Sequence, residues 1–235
     1  MTRVKICGIR EPADALVAAA AGADFVGLVF VPGRRRCLEP GAAQGIVKGL
    51  RASGGPVPKV VGLFADQPLE EVNRIIRACG LDLAQLCGGE PLEYCESVQC
   101  RVIKVVHVDA TVPGEAAVAA LAGRVRSYRD AGHLVTLDRL VAGLQGGTGA
   151  SFDWEVAASL SQRGLSFLLA GGLSPANVAQ AVATVRPWGV DVSTGVETDG
   201  AKDHEKIRAF IENTRQPSAL SDQPSASDPT LIADS

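Results

Sequence analysis

Eight short apolar runs alternate with longer segments of helical periodicity, and this alternation constrains the fold more than any other sequence feature. Each run is five or six residues long, which suits a buried strand and is too short for a typical helix. Strands joined by helices pair in parallel, because a parallel crossover needs a connection of helix length. The predicted strands are residues 3–7, 25–30, 59–64, 81–86, 102–106, 133–138, 165–170 and 189–193.

Four of the intervening segments carry clear helix signals. Residues 12–21 are rich in alanine and begin with proline, which is tolerated in the first turn. Residues 68–79 place their apolar side chains on one helical face. Ser174 is predicted to cap a helix over 175–185, and residues 205–211 are predicted to form the last helix.

Length and composition predict one barrel-sized domain over residues 1–215, followed by a tail. Apolar residues make up 46% of the chain but aromatic residues only 4%, so the core must be mainly aliphatic, as in buried parallel sheets. The apolar pattern alone leaves a closed barrel and an open doubly wound sheet as alternatives. Residues 216–235 are rich in Ser, Pro and Asp, which predicts a disordered tail.

Several classes of function are disfavoured. The net charge of −3 gives no basic field for nucleic acid, and no apolar run is long enough to cross a membrane. No secretory signal precedes the first strand, which predicts a cytoplasmic protein with six free thiols. Cys87, Cys95, Cys100 and His107 match no zinc-ligand spacing, so we expect no metal.

Polar side chains stand where several predicted strands end, which is where barrel enzymes carry their reactive groups. Lys5 and Cys7 share one face of the first strand, opposite an apolar pair, and are predicted to point into the barrel. The same alternation turns Asp138 inward on the sixth strand, and Asp191 and Ser193 inward on the eighth.

Glycines follow the seventh and eighth strands. Gly171 and Gly172 come after the seventh strand, and Ser193, Thr194 and Gly195 end the eighth. Glycine lets backbone N–H groups approach an anion closely, and a following helix N-terminus adds partial positive charge. Because barrels often hold phosphate at these two loops, the pattern predicts a phosphate site and favours the barrel.

The chain resembles the phosphoribosylanthranilate isomerase family from Val4 to about Ile211. Each matching segment is short, and their joint order and spacing make the resemblance specific. The segments are KICGI at 5–9, GADFVGLVF at 22–30, VGLF at 61–64, QL at 85–86, Asp138, GGTG at 146–149, FDW at 152–154, LAGGLSPANV at 169–178, GVDVSTGVE at 189–197 and KD at 202–203.

The resemblance implies a cofactor-free aldose–ketose isomerisation in tryptophan biosynthesis, on a single (β/α)8 TIM barrel. It implies that Asp138 is the general acid and Cys7 the general base. A thiol can act as a base where nearby positive charge lowers its pKa, and Lys5 on the same face offers such a charge. His107, near the end of the fifth strand, is the alternative imidazole base.

The resemblance also assigns binding residues. It implies that Arg36 holds the anthranilate carboxylate, which a guanidinium can bind through two hydrogen bonds. Asp191 is expected to line the anthranilate end of the pocket, or else to be a barrel-layer residue paired with Lys5. Arg34 and Arg35 are interpreted as solvated charges. The chain departs from the family at Cys87, where the family usually has histidine, and at Arg34 and Arg10.

Three other functions are weighed. Indole-glycerol-phosphate synthase is expected to carry a helical segment before the first strand, which begins here almost at once. The sugar isomerase of histidine synthesis is expected to end its first strand with aspartate, where this chain has Cys7. A catalytically inactive barrel used for binding is disfavoured because Cys7 and Asp138 are both present. The expected partner is the small-molecule substrate, and the protein is expected to be a monomer or a homodimer.

Overall fold

The strands close into a complete parallel barrel. The computed structural model describes residues 1–108, 115–139 and 154–216. Its main sheet runs from β1 to β8 in chain order and closes by pairing β8 with β1, which excludes the open doubly wound sheet. These strands are β1 Arg3–Cys7, β2 Phe25–Val29, β3 Lys59–Phe64, β4 Leu83–Leu86, β5 Arg101–Val108, β6 Leu134–Arg139, β7 Leu168–Leu169 and β8 Gly189–Val192.

Helices follow the strands and cover the outside of the barrel. A short antiparallel pair, β9 Glu197–Thr198 and β10 Ala201–Lys202, lies between β8 and the last helix. The helices are α1 Pro12–Ala21, α2 Pro40–Ala52, α3 Leu69–Cys79, α4 Leu92–Ser97, α5 Glu115–Asp130, α6 Trp154–Gln162, α7 Val178–Val185 and α8 His204–Arg215.

The helix predictions are confirmed except around α7. The predicted helix at 12–21 matches α1, and those at 68–79 and 205–211 lie on α3 and α8. The predicted start at residue 175 is wrong, because α7 begins at Val178 and no side chain caps it. Ser174 instead uses its backbone carbonyl, which accepts from the N–H groups of Asn177 and Val178.

The core has two layers, one on each face of the sheet. A large aliphatic layer lies between strands and helices, and a smaller one, with Val61, Ile103 and Leu168, fills the barrel below its mouth. This arrangement leaves one open end of the barrel, at the carboxyl ends of the strands, for a site. The GGTG segment at 146–149, Asp153 and the predicted tail beyond Gln216 lie outside the described residues.

Candidate active site

A cavity of about 280 Å³ opens at the carboxyl ends of the strands. All the predicted site residues except Gly195 line it, so the structure gathers them from β1, β6 and β8, the loop after β2 and the loops after β7 and β8. The predicted residues on its wall are Cys7, Arg36, Asp138, Gly171, Gly172, Asp191, Ser193 and Thr194.

Lys5 and Asp191 form a buried ion pair, of which Asp191 reaches the cavity. The Lys5 Nζ lies 2.8 and 2.9 Å from the two carboxylate oxygens of Asp191, and the two residues are direct neighbours in the β1–β8 register. Burial alone would lower the pKa of Lys5, but the Asp191 carboxylate raises it above the usual value. The alternative of a barrel-layer aspartate paired with Lys5 is therefore observed, although Asp191 also reaches the cavity wall.

Cys7 lies at the mouth end of β1, where this residue is 6% exposed. Burial raises the pKa of its thiol above the usual value, and the charges of Lys5 and Lys202 oppose the shift without cancelling it. Lys5 does lower this pKa, as expected, but burial of the thiol has the larger effect, so the net pKa is raised. The Lys5 charge is also partly compensated by its ion pair with Asp191.

Asp138 and His107 occupy neighbouring positions on the opposite side of the cavity. The two residues are paired in the β5–β6 register, and both line the cavity. The Nε2 of His107 lies 3.3 Å from the backbone oxygen of Cys87. The alternative imidazole base and the predicted acid thus face the same cavity.

The loop after β7 takes a backbone conformation that favours glycine. Gly171 and Gly172 have φ angles of 91° and 69°, a region that other residues rarely adopt. Asn177 stabilises this turn, since its side chain donates to the Gly172 oxygen at 2.9 Å and accepts from the Ser174 N–H at 2.8 Å. A non-helical turn therefore separates these glycines from α7, which begins three residues later than the predicted helix over 175–185.

Gly195 has a packing role between the two loops. A Cβ at this position would lie 1.9 Å from the backbone oxygen of Leu173, so only glycine lets the loops after β7 and β8 approach so closely. The neighbouring Ser193 donates its hydroxyl to the Cys7 oxygen at 3.1 Å. Gly195 thus lies behind the cavity wall that Ser193 and Thr194 form.

Arg36 is held by a residue to which the sequence pattern assigned no role. Its Nε and Nη2 donate to the two oxygens of Glu197, at 2.7 and 2.9 Å. Arg35 and Lys202 bind the same carboxylate. The interpretation of Arg35 as a solvated charge is incomplete: its side chain is half-exposed, but it is also ion-paired and lines the cavity. The only signal for Glu197 and Lys202 was that they lie in the matched segments GVDVSTGVE and KD.

Cys87, the departure from the family pattern, also lines the cavity. Burial raises the pKa of its thiol to about 12, and the side-chain amide of Gln85 donates to its sulfur at 3.6 Å. Cys87 is therefore a neutral, weakly polar group at the position where the family usually has an imidazole.

The described part of the chain offers neither a metal site nor a membrane span. Within it, no group of three or more His, Cys, Asp or Glu side chains is arranged to hold a metal ion. Its helices include none with the length and apolar character needed to cross a membrane.

The fold and the site together define a class, the (β/α)8-barrel enzymes that act on small anionic molecules. A family model described as N-(5′-phosphoribosyl)anthranilate isomerase matches residues 4–213. The chain belongs to this family.

Relatives and solved structures agree with this membership. An N-(5′-phosphoribosyl)anthranilate isomerase from Geobacter sp. strain M21 is 46% identical over 217 residues, which are 92% of this chain and 99% of the relative. The one from Dehalococcoides mccartyi is 40% identical over 215 residues, 92% of this chain and 96% of the relative. The crystal structure of phosphoribosyl anthranilate isomerase from Thermotoga maritima is 35% identical, with a TM-score of 0.76, over 91% of this chain and 98% of that one.

Proposed function

We propose that this chain isomerises N-(5′-phosphoribosyl)anthranilate to 1-(2-carboxyphenylamino)-1-deoxyribulose 5-phosphate, a step of tryptophan biosynthesis. Family membership supports the reaction, and one solved relative of 35% identity is described as a complex with the reduced form of this product. The observation that carries the proposal is the single cavity lined by Cys7, Asp138, Arg36 and the glycine loops.

The proposed reaction needs one acid, one base and no external oxidant. Asp138 protonates the ribose ring oxygen as its bond to C1′ breaks, and the anilino nitrogen forms a Schiff base with C1′. The Cys7 thiolate removes the proton from C2′, and the electron pair moves to give an enolamine. Protonation at C1′ and loss of the hydroxyl proton at C2′ then give the ketone, so C1′ is reduced while C2′ is oxidised.

Residues on the cavity wall provide a proposed binding site for each of the two anionic groups of the substrate. We assign the phosphate to the loops of Gly171–Gly172 and Ser193–Thr194, where backbone N–H groups can donate to its oxygens. We assign the anthranilate carboxylate to Arg36, which lies on the loop after β2. Two such anchors would fix how the ribose lies between Cys7 and Asp138, whose strands β1 and β6 are not adjacent in the barrel.

The raised pKa of Cys7 is compatible with this role. A base whose pKa lies above the working pH is seldom ionised, but each ionised thiolate is a stronger proton acceptor. The two substrate anions are assigned to other parts of the cavity. Lys5 and Lys202 are therefore still the cations that lower the pKa of Cys7. We therefore expect the limb of the kcat/KM profile that reports the Cys7 thiolate to rise with pH through the neutral range.

Loss of phosphoribosylanthranilate fluorescence with purified protein tests the proposed function directly. Cys7→Ser and Asp138→Asn should each lower kcat by about 10²–10⁴-fold, the usual effect of removing a positioned base or acid. Cys79→Ser is a matched control, because Cys79 is buried but does not line the cavity. A wild-type chain without turnover would favour the binding barrel, and near-normal kcat in Cys7→Ser would move the base to His107.

Three further assignments accompany this function. The chemistry consists of proton transfers, so we propose that turnover needs no metal or organic cofactor and survives dialysis against a strong chelator. We place the enzyme in the cytoplasm, which cell fractionation tests. We propose a monomer or a homodimer without nucleic-acid or membrane partners, and light scattering on the eluted protein distinguishes the two states.

A further inference from the structure

Glu197 is the centre of a charge cluster that joins the loop after β2 to the segment after β8. It accepts both hydrogen bonds of Arg36, and its Oε2 also accepts from Arg35 Nη2 at 2.6 Å. Lys202 donates to its Oε1 at 3.0 Å and to the backbone oxygen of Ser193 at 2.8 Å. One carboxylate thus connects the arginine after β2 with the loop after β8.

Glu197 and Lys202 are buried, and both carboxylate oxygens of Glu197 accept hydrogen bonds. The side chains of Glu197 and Lys202 are 7% and 2% exposed, so these contacts exchange little with water. Burial would raise the pKa of Glu197, but the hydrogen bonds from Arg36 and Arg35 and the charge of Lys202 hold it at about 2. Three cations around one carboxylate leave an excess of positive charge beside the cavity.

The stem of Arg36 is fixed by a second, independent contact. A Cβ on Gly8 would lie 2.4 Å from Arg36 Cδ, so the side chain packs directly over the backbone that follows Cys7. With its stem on Gly8 and its Nε–Nη2 edge on Glu197, the guanidinium has one orientation. Its Nη1 donates no hydrogen bond to the residues that the structure describes, and the side chain lines the cavity.

We propose that Glu197 is a positioning residue that presents Arg36 to the substrate carboxylate and links this anion site to the phosphate loop through Lys202. The inference rests on the proposed function, since it takes the carboxylate of the substrate as the partner of Arg36. The physical reason is preorganisation. An arginine that is already ordered loses little side-chain freedom on binding, whereas a mobile one must give up much of its rotamer freedom at that moment.

The test compares two ligands that differ only in the carboxylate. The reduced product analogue and the same compound without its carboxyl group are titrated calorimetrically into wild type, Glu197→Ala and Glu197→Gln. Glu197→Ala should weaken binding of the carboxylated ligand by roughly tenfold or more, and that of the other ligand far less. Glu197→Gln keeps one acceptor for Arg36 and should lie between wild type and Glu197→Ala.

Two controls separate positioning from general stability. Arg51→Ala removes an arginine that binds the Gly80 oxygen and does not line the cavity, so it should affect the two ligands little and equally. The double variant Arg36→Met/Glu197→Ala should bind the carboxylated ligand no more weakly than Arg36→Met alone. The reason is that the effects of substituting two interacting residues are not additive. Turnover by Glu197→Ala should show a raised KM with kcat little changed.

Distinct outcomes overturn the inference and the function. Equal losses for both ligands in Glu197→Ala, or additive losses in the double variant, would overturn the positioning role while wild-type turnover upheld the isomerase. Unchanged affinity for the carboxylated ligand in both Glu197 variants would also overturn the positioning role without affecting the proposed function. A wild-type chain that neither binds the analogues nor turns over phosphoribosylanthranilate would overturn both proposals.

Discussion

Lys5 and Asp191 form a buried ion pair between β1 and β8, the first and last strands of the barrel, where the barrel closes. Their side chains are 0% and 7% exposed, and each oxygen of the Asp191 carboxylate accepts a hydrogen bond from the Lys5 ammonium. The pair lies directly beneath Cys7, because Lys5 is two residues before Cys7 on the same strand face. One interaction therefore contributes to both the fold and the electrostatics of the site.

Removing one partner of this pair should destabilise the fold strongly. Lys5→Met leaves the Asp191 charge buried without compensation, which typically costs about 3–5 kcal/mol of unfolding free energy. Denaturant titration at neutral pH measures the loss. Lys59→Met is the matched control, because the Lys59–Asp82 pair is exposed and such pairs contribute at most about 1 kcal/mol. Similar small losses in both variants would mean that the buried pair contributes little.

Alkylation of Cys7 should be slow at neutral pH and accelerate in the alkaline range. Burial raises the pKa of the thiol above its ordinary value of 9.0, so the reactive thiolate becomes abundant only above that pH. Iodoacetamide labelling with mass-spectrometric assignment gives the rate at each pH. Lys202→Met should slow labelling further because it removes a charge that lowers this pKa, whereas Lys206→Met is the control. Rapid labelling of Cys7 in the wild type at pH 7 would contradict a raised pKa of its thiol.

Gly172→Asp should abolish phosphate binding for an electrostatic reason that a control can isolate. The variant places a negative charge on the cavity wall assigned to the phosphate. Any side chain here is also strained, since the φ of Gly172 is 69°. Gly172→Ala carries the same strain without the charge, and should cost about 1 kcal/mol of stability with a much smaller rise in KM. Equal KM values for the two variants would show that the phosphate does not bind at this loop.

The stability contributed by Glu197 should disappear in acid. Its pKa is lowered from 4.5 to about 2 in the folded chain, so its stabilising contribution is complete above the unfolded value. The contribution falls as the pH drops from 4.5 towards 2, because the unfolded chain then binds the proton first. The difference in unfolding free energy between wild type and Glu197→Gln should therefore shrink over this range. A difference that stayed constant would show that the charge of Glu197 does not contribute.

Removing the chain beyond Gln216 should leave stability and turnover nearly unchanged. The last helix ends at Arg215, and the Gln216 N–H closes it by donating to the Glu212 oxygen at 3.1 Å. Arg215 itself also holds the Gly22 oxygen after α1, so truncation after Thr214 should lower Tm. Comparison of the two truncated chains by thermal melting checks both statements. A large loss in the chain that ends at Gln216 would show that residues 217–235 support the domain.

The sequence predicted most of the fold and the inward-facing residues because both depend on local periodicity. Eight apolar runs specified the eight strands, and strict alternation along a strand placed Lys5, Cys7 and Asp191 inside the barrel. The start of α7 was wrong because the Asn177 side chain stabilises a turn before the helix, a competing interaction that Ser-Pro did not reveal.

The tertiary structure alone decided the partners and the protonation of the site. Arg36 and Glu197 are 161 positions apart, and a long charged side chain finds its partner only where closure of the barrel brings two loops together. The pKa of Cys7 likewise depends on a balance between its burial and the charges around it, which strand alternation does not specify. Periodicity determines which way a side chain points, whereas desolvation and ion pairing depend on everything that packs around it.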